Sequence, residues 1–246
     1  MGEGRSAWKE LLGVRCPACE QARVSGTERL CAACRPHRPV RAPLATLAPA
    51  LTGPEAIELP GYPGGLACGE YKGSLRRMVL QAKWGPHSPA IPVLRRELLS
   101  AVRMARLAPG VLIAPPPSRA RRWQGWHFAE ELAHGLARRL DWPYARALRR
   151  RRERPAQAGL GAAHRRVNLA GSFALRARWS GLPPSCATVG RRIYLVDDVL
   201  TTGATFRECA RCLQQATGAR VHPLVLAWVP GQVESSLGTH DYDACR

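Results

Sequence analysis

Two groups of residues in this sequence combine side-chain types and spacing that can do chemistry. The first is Asp197-Asp198-Val199-Leu200-Thr201-Thr202-Gly203-Ala204-Thr205. Adjacent carboxylates offer hard oxygen ligands to Mg²⁺ and hydrogen-bond acceptors to hydroxyls. Thr201, Thr202 and Thr205 add hydroxyl donors, and Gly203 lets a ligand come close to the backbone. A helix opening at this point presents amides without intrahelical partners at the positive end of its dipole, which suits a phosphate. Carboxylates aimed at the phosphate itself would repel it, so the acids suit sugar hydroxyls, directly or through Mg²⁺. The alternative is a plain strand-to-helix turn whose threonines cap the helix.

The second group is Cys16-Pro17-Ala18-Cys19 with Cys31-Ala32-Ala33-Cys34. Each CxxC turn presents two sulfurs from one knuckle. Two knuckles close a tetrahedral four-thiolate shell with no open position, the pattern of a structural zinc ion. Four buried or reactive thiols are the alternative. Cys68, Cys186, Cys209, Cys212 and Cys245 do not share this spacing. Cys209 and Cys212 fall one turn apart on an expected helix and read as packing residues. A redox pair there would need the helix N-terminus that depresses a thiol pKa, and that terminus lies upstream.

The elements that must hold these groups are legible from the apolar pattern. Ile193 to Val196 is a buried strand that ends in the two acids, Thr205 to Ala216 is the helix after the loop, and Val221 to Val229 is the next strand. Val111 to Ala114 is a further short strand, stopped by Pro115-Pro116-Pro117. Leu75, Met78, Val79 and Ala82 recur on one face of a helix ending at Lys83, and residues 92–107 and 127–140 are two more amphipathic helices. Strand, loop, helix, strand in this order gives a βαβ unit and a parallel sheet, and ligands sit at the carboxyl ends of such strands. Residues 35–65 are proline-rich and read as a linker. The expected organisation is a zinc ribbon over 12–38, a linker over 39–66, an α/β domain over 67–230 and a tail over 231–246.

The chain has 246 residues, 46% of them hydrophobic, enough for one buried core and a small satellite. Its formal charge of +19 comes from 37 basic against 18 acidic side chains. Nearly all the bases are arginine, Lys9, Lys72 and Lys83 being the lysines. This is either an electropositive surface for phosphates or the imprint of a GC-rich genome. The N-terminus has no apolar run of signal-peptide length and no stretch is long and apolar enough to span a bilayer, so the expectation is a cytoplasmic protein without membrane insertion. The arginines Arg149 to Arg152 and Arg154, with Arg146, Arg165 and Arg166, read as a lid over a diphosphate, as a track for single-stranded nucleic acid, or as a solvated loop with a short helix near its end. Trp123 and Trp126 flank Gly125 and either stack on a base or pack. His127 and His134 read as surface or packing residues. Lys83 either touches an anionic ligand or is an ordinary surface lysine.

The acid–threonine–glycine loop resembles the phosphoribosyl-pyrophosphate loop of type I phosphoribosyltransferases. Three further segments are similar to the ComF/GntX family of competence-associated, phosphoribosyltransferase-like proteins. They are Tyr71-Lys72-Gly73-Ser74-Leu75-Arg76 continuing to Lys83-Trp84-Gly85, Ile113-Ala114-Pro115-Pro116-Pro117-Ser118-Arg119-Ala120-Arg121-Arg122, and Gln157-Ala158-Gly159-Leu160 with Arg165-Arg166-Val167-Asn168 and Phe173. The resemblance implies a type I phosphoribosyltransferase-like parallel sheet flanked by helices, with a small N-terminal zinc ribbon. It implies Mg²⁺-assisted displacement of pyrophosphate from phosphoribosyl pyrophosphate through an oxocarbenium-like transition state, with the acceptor left open. Asp197 and Asp198 would hold the ribose hydroxyls, and Arg119 and Arg121 would meet the departing charge. Thr201, Thr202, Gly203, Ala204 and Thr205 would cradle the 5′-phosphate, with Ser118 and Lys83 as further contacts. Zinc is then structural and Mg²⁺ travels with the substrate. The family's association with DNA uptake implies single-stranded DNA and a competence helicase as partners, and a non-catalytic DNA-handling protein as the alternative function. The chain departs from the family where Gln124-Gly125-Trp126-His127-Phe128 stands in place of the usual Arg-Gly-Phe-Asn-Gln, and where Arg154-Pro155-Ala156-Gln157 lacks the threonine often seen before the glutamine.

Overall fold

The computed structural model describes residues 14–24, 30–34, 42–43, 65–123, 125–151, 171–177 and 192–229. Most of the expected linker, the segment 152–170, Gln124, Cys186, Cys245 and the tail over 231–246 lie outside the described residues.

The centre is a five-stranded sheet. Its strands are β3 (Ala42–Pro43), β4 (Leu66–Glu70), β5 (Val111–Ile113), β8 (Arg192–Leu200) and β9 (Arg220–Trp228), in the order β3-β4-β9-β8-β5. β4, β9, β8 and β5 run parallel, and β3 adds an antiparallel edge through Ala42↔Ala67 and Pro43↔Leu66. Parallel strands need crossovers, and the chain supplies them as helices on both faces. On one face lie α1 (Gly73–Lys83), α2 (Ala90–Met104) and α4 (Phe128–Leu140), packed on Leu66, Cys68, Leu112, Tyr194 and Val196. On the other lies α5 (Ala204–Thr217), whose Phe206, Cys209, Ala210 and Leu213 meet Val111, Ile113, Ile193, Leu195 and Val225. The strict alternation along β5 and the first half of β8 follows from the two-residue period of a pleated strand.

Sequence periodicity anticipates the helices closely. Leu75, Met78, Val79 and Ala82 of α1 are all buried, as their spacing requires. Each such side chain, once fully buried, contributes on the order of 1–3 kcal/mol. The expected helix over 92–107 begins at Ala90 and ends at Met104, because Arg106 takes a left-handed φ of 48° that no helix continues through. β4 has no sequence forecast, since Leu66-Ala67-Cys68-Gly69-Glu70 carries neither alternation nor β-branched residues. It forms because the edge of β9 is open to it. Pro223 lies inside β9, where a missing N–H would normally exclude it. It is tolerated because β4 pairing starts only at Leu66↔Leu224, and Gly65 passes Pro223 where a Cβ would fall 2.2 Å from the proline carbonyl oxygen.

Two small units flank the sheet. β1 (Val14–Arg15) and β2 (Arg23–Val24) form an antiparallel ribbon around the first cysteine knuckle. β6 (Leu148–Arg150) pairs antiparallel with β7 (Phe173–Leu175), bracketing the residues 152–170. A five-residue helix, α3 (Arg119–Trp123), follows the proline run after β5.

Candidate functional site

The two acids lie within β8, not after it. The strand continues past them, pairing Asp197 with Val225, Val199 with Ala227 and Leu200 with Trp228. The sequence reading ended the strand at Val196. Continued pairing has a chemical consequence, because successive side chains leave a strand on opposite faces. Asp198 meets the α1–α4 side and Asp197 lies on the α5 side, where its charge acts on the Cys209 thiol. The alternation is then interrupted, since Val199 packs with the α1–α4 layer and Leu200 with the α5 layer.

Asp198 is buried, its side chain 6% exposed. Lys83 Nζ, from the end of α1, lies 2.9 Å from its Oδ1. Arg121 of α3 brings a guanidinium nitrogen to 3.7 Å from Oδ2, too long for a hydrogen bond, and Oδ2 has no other hydrogen-bond partner. Lys83 is thus mostly buried and ion-paired to an acid of β8. Asp197 is half-buried, and its Oδ1 accepts the Asp198 N–H at 2.8 Å. Burial, and then the neighbouring Asp198 charge, pushes the Asp197 carboxyl up to about 7.

Beyond Leu200 the loop is only Thr201 to Gly203. Gly203 has φ +71° and starts α5 as its N-cap. That conformation favours glycine. A Cβ there would also meet the Arg207 guanidinium at 3.2 Å. A glycine cap offers no side chain to the first amides, and the first turn of α5 contains no acid, so the positive end of the helix is not neutralised from within. Thr201 is exposed, while Thr202, Ala204 and Thr205 are partly so. The Ala204 amide donates to Thr202 Oγ1 at 3.4 Å. Arg207 donates to the Thr202 carbonyl at 2.8 Å and so fixes the loop from one turn inside the helix. Sequence reasoning passed over Arg207. Its signal was available, as a cation four residues after the loop glycine on the helix face that returns to the loop.

After β5, Ser118 starts α3: its Oγ accepts the Arg121 amide at 3.4 Å and its carbonyl the Arg122 amide at 2.9 Å. The structure thus brings Asp198, Lys83 and Arg121 together, sets Asp197 and residues 201–205 beside them along the chain, and gives Ser118 a backbone role. The Arg119 side chain lies outside the described residues. Trp126 packs, its indole N–H donating to the Ala82 carbonyl at 2.8 Å, so the stacking alternative falls for this residue. Trp123 and Trp84 stay 81% and 85% exposed. His134 packs its ring on Tyr144 at 4.1 Å, and His127 is held against Glu130. Burial raises the thiol pKa of Cys209 and Cys212, which supports packing over a redox pair.

The four cysteines Cys16, Cys19, Cys31 and Cys34 converge, their sulfurs all within 4.8 Å of one another. Zn–S bonds of about 2.3 Å in a tetrahedron set sulfur–sulfur edges near 3.8 Å, and Cys19 and Cys31 stand 3.8 Å apart. The amides of Ala22 and Gln21 draw the Cys19 thiol down to about 6, whereas burial among the other thiols pushes Cys34 up to about 12. Four thiols so placed cannot all ionise without a cation, so the donor set fits a structural metal such as zinc. Arg77 of α1 donates to the Ala18 carbonyl at 2.6 Å, clasping the first knuckle to the same helix that carries Lys83.

Comparison with known proteins gives relatives by sequence. The chain is 35% identical over 129 residues to Competence protein F of Haemophilus influenzae, covering 50% of this chain and 54% of that one. It is 32% identical over 159 residues to DNA utilization protein YhgH of Escherichia coli O157:H7, covering 62% of this chain and 66% of that one. The chain therefore spans between about half and two thirds of the length of the curated relatives it matches. No family model matches. Among solved structures, one titled as the allosteric regulatory enzyme of purine biosynthesis aligns at a TM-score of 0.37 and 16% identity, over 60% of this chain and 30% of that one.

Proposed function

We propose that this chain, a homologue of competence protein F and DNA utilization protein YhgH in the ComF family, binds phosphoribosyl pyrophosphate or a similar sugar phosphate at the Asp197–Thr205 segment. The observation that carries the reading is Asp198, a buried carboxylate with an unbonded Oδ2, standing between Lys83 and Arg121 beside a helix whose N-cap is a glycine and whose first turn holds no acid. The helix start suits a 5′-phosphate. Lys83 and Arg121 suit the diphosphate, and each could exchange the carboxylate for it. Asp197 and Asp198 then serve the ribose hydroxyls. Mg²⁺ fits the same residues: Asp198 Oδ2 lacks a donor, and a cation would offset both the burial and the neighbouring charge that raise the Asp197 carboxyl. When bound, the ion would neutralise diphosphate charge. No side chain here is an evident base for an acceptor, so the reading extends to the donor substrate alone.

Calorimetric titration with phosphoribosyl pyrophosphate is the test. Expected is saturable binding that requires Mg²⁺ and weakens at least ~10-fold in Asp198→Asn, the effect of about 1.4 kcal/mol from one lost charge-assisted contact. Equal affinity in that variant would remove the reading.

A second reading has its own support. Trp84 and Trp123 are large, exposed and adjacent in sequence to Lys83 and Arg122, a combination of base-stacking surfaces and cations that suits single-stranded nucleic acid. The names of the relatives agree with it. Binding of this kind would fall steeply with salt and be indifferent to Asp198→Asn.

A further inference from the structure

The cysteine cluster and the Asp198 site share one helix, and one side chain ties that helix to the cluster. Arg77 of α1 donates from Nε to the Ala18 carbonyl at 2.6 Å and brings Nη2 to 4.0 Å from Cys34 Sγ. Ala18 belongs to the first CxxC knuckle and Cys34 to the second. One guanidinium therefore touches both knuckles at once. We infer that Arg77 is the positioning residue that couples metal occupancy of the cysteine cluster to the place of Lys83 in the Asp198 site. The effect on a ligand rests on the sugar-phosphate reading, whereas the effects on the metal and on α1 stand apart from it.

Both contacts need a closed cluster. Ala18 and Cys34 are distant along the chain and meet one guanidinium because the knuckles close on each other, their four sulfurs within 4.8 Å. A bound metal holds that closure. Ala18 is fully buried, so its carbonyl requires a donor, and Arg77 is that donor. Four thiolates around a divalent ion leave an excess of negative charge, which a guanidinium beside Cys34 offsets. Arg77 has no carboxylate partner among the described residues, so its charge is not committed elsewhere. Its neighbour Arg76 lies instead over the Tyr71 ring, 5.8 Å from the centroid.

The helix carries the effect. Arg77 and Lys83 are separated by about 9 Å along the axis of α1. Between them Met78, Val79 and Ala82 are buried, and the Trp126 indole N–H bonds the Ala82 carbonyl at 2.8 Å. A helix packed in this way shifts as a body, not residue by residue. Leu75 and Met78 also share a core cluster with Cys16, Val24 and Leu30. Opening of the knuckles frees the Arg77 side of α1 and removes part of the surface on which Leu75 and Met78 pack. Lys83, whose Nζ stands 2.9 Å from Asp198, then loses the fixed helix that presents it. Such coupling is reciprocal, so a ligand that metal binding tightens must make the metal harder to remove by the same factor.

Three measurements on the full chain test the coupling. Competition with a chromogenic chelator should release zinc from Arg77→Gln at least ~10-fold more readily than from the wild type. Arg77→Lys keeps the charge without the planar fork; it should fall between the two and serves where the glutamine variant does not fold. Amide hydrogen exchange with zinc held saturating should quicken about 10-fold over Met78 to Lys83 in Arg77→Gln. It should stay within about twofold in Arg103→Gln, which removes an arginine–carbonyl contact between α2 and α4 instead. Calorimetric titration with phosphoribosyl pyrophosphate should give a dissociation constant about fivefold or more higher in zinc-stripped than in zinc-loaded wild type. Zinc-loaded Arg77→Gln should resemble the stripped protein, and the ligand should strengthen zinc retention in the wild type alone. Zinc affinity in Arg77→Gln within about twofold of the wild type, or unaltered exchange over α1, overturns the inference. Equal ligand affinity with and without zinc does so too. Absence of any phosphoribosyl pyrophosphate binding counts against the sugar-phosphate reading and leaves zinc release and hydrogen exchange to decide the role of Arg77.

Discussion

Lys83 and Asp198 allow a quantitative test of how the candidate site is held before any ligand arrives. Their charged atoms are 2.9 Å apart, with side-chain exposures of 23% and 6%. At an effective dielectric of about 20 the gross attraction is about 6 kcal/mol, and most of it offsets the desolvation of both groups. Removing one partner of a buried pair costs about 3–5 kcal/mol because the other is left stranded. Here Lys83 keeps some solvent and Asp198 keeps Arg121 at 3.7 Å, so the lower end applies. Lys83→Gln should cost about 3 kcal/mol, and Asp198→Asn somewhat less, since the stranded lysine is the better solvated of the two. The double variant should cost about the same as Lys83→Gln alone, giving a coupling energy of about 2 kcal/mol. Urea unfolding of the four proteins measures it, and the melting temperature of Lys83→Gln should fall by about 6–12 °C. A coupling below about 0.5 kcal/mol would show that the pair is solvent-screened and that Asp198 is not held by α1.

Two further outcomes follow from the same geometry. Burial and the Asp198 charge raise Asp197 to about 7 in the folded protein, whereas the unfolded carboxyl titrates near 3.9; the native state therefore holds an extra proton between those values. Its contribution to stability is fully present below about pH 4, declines as pH rises through 4 to 7 by at most about 1.4 kcal/mol per pH unit, and is gone above. Urea midpoints across that range should show this decline in the wild type and lose it in Asp197→Asn; parallel curves would contradict the assigned environment. The cysteine cluster should carry one zinc per chain by elemental analysis. Since Cys16, Val24 and Leu30 share a core cluster with Leu75 and Met78, stripping the metal should lower the melting temperature of the α1 side as well as unfold the knuckle. Protein purified from zinc-containing medium that holds no metal, and whose melting curve a chelator leaves unchanged, would refute the structural role.

What the sequence disclosed and what it concealed divide along a physical line. Helices and buried parallel strands write their own period into the chain, so α1, α4, α5, β5 and the body of β8 could be read from Leu75, Leu132, Phe206, Ile113 and Leu195 and their neighbours. The cysteine convergence was equally legible, because CxxC spacing fixes two sulfurs locally and only one long-range meeting is required. β4 was hidden, since what makes Leu66-Ala67-Cys68-Gly69-Glu70 a strand is the open edge of β9 more than 150 residues later. The direction of the acids was hidden for a related reason. Asp197-Asp198 reads as the end of a strand, where both carboxylates could turn to one ligand, yet Val225, Ala227 and Trp228 extend the ladder through them and send them apart. That divergence alters the chemistry available. Asp198 stands within ion-pair distance of Lys83 and Arg121, while Asp197 is governed first by burial and then by its neighbour's charge. A ligand that engages both must approach over the edge formed by Thr201 to Gly203, where the strand has ended and the helix has yet to close its first hydrogen bonds. On the proposed reading, the short loop and its left-handed glycine are what would let one sugar reach two opposed carboxylates, and Arg207, by holding the Thr202 carbonyl, keeps that edge in position.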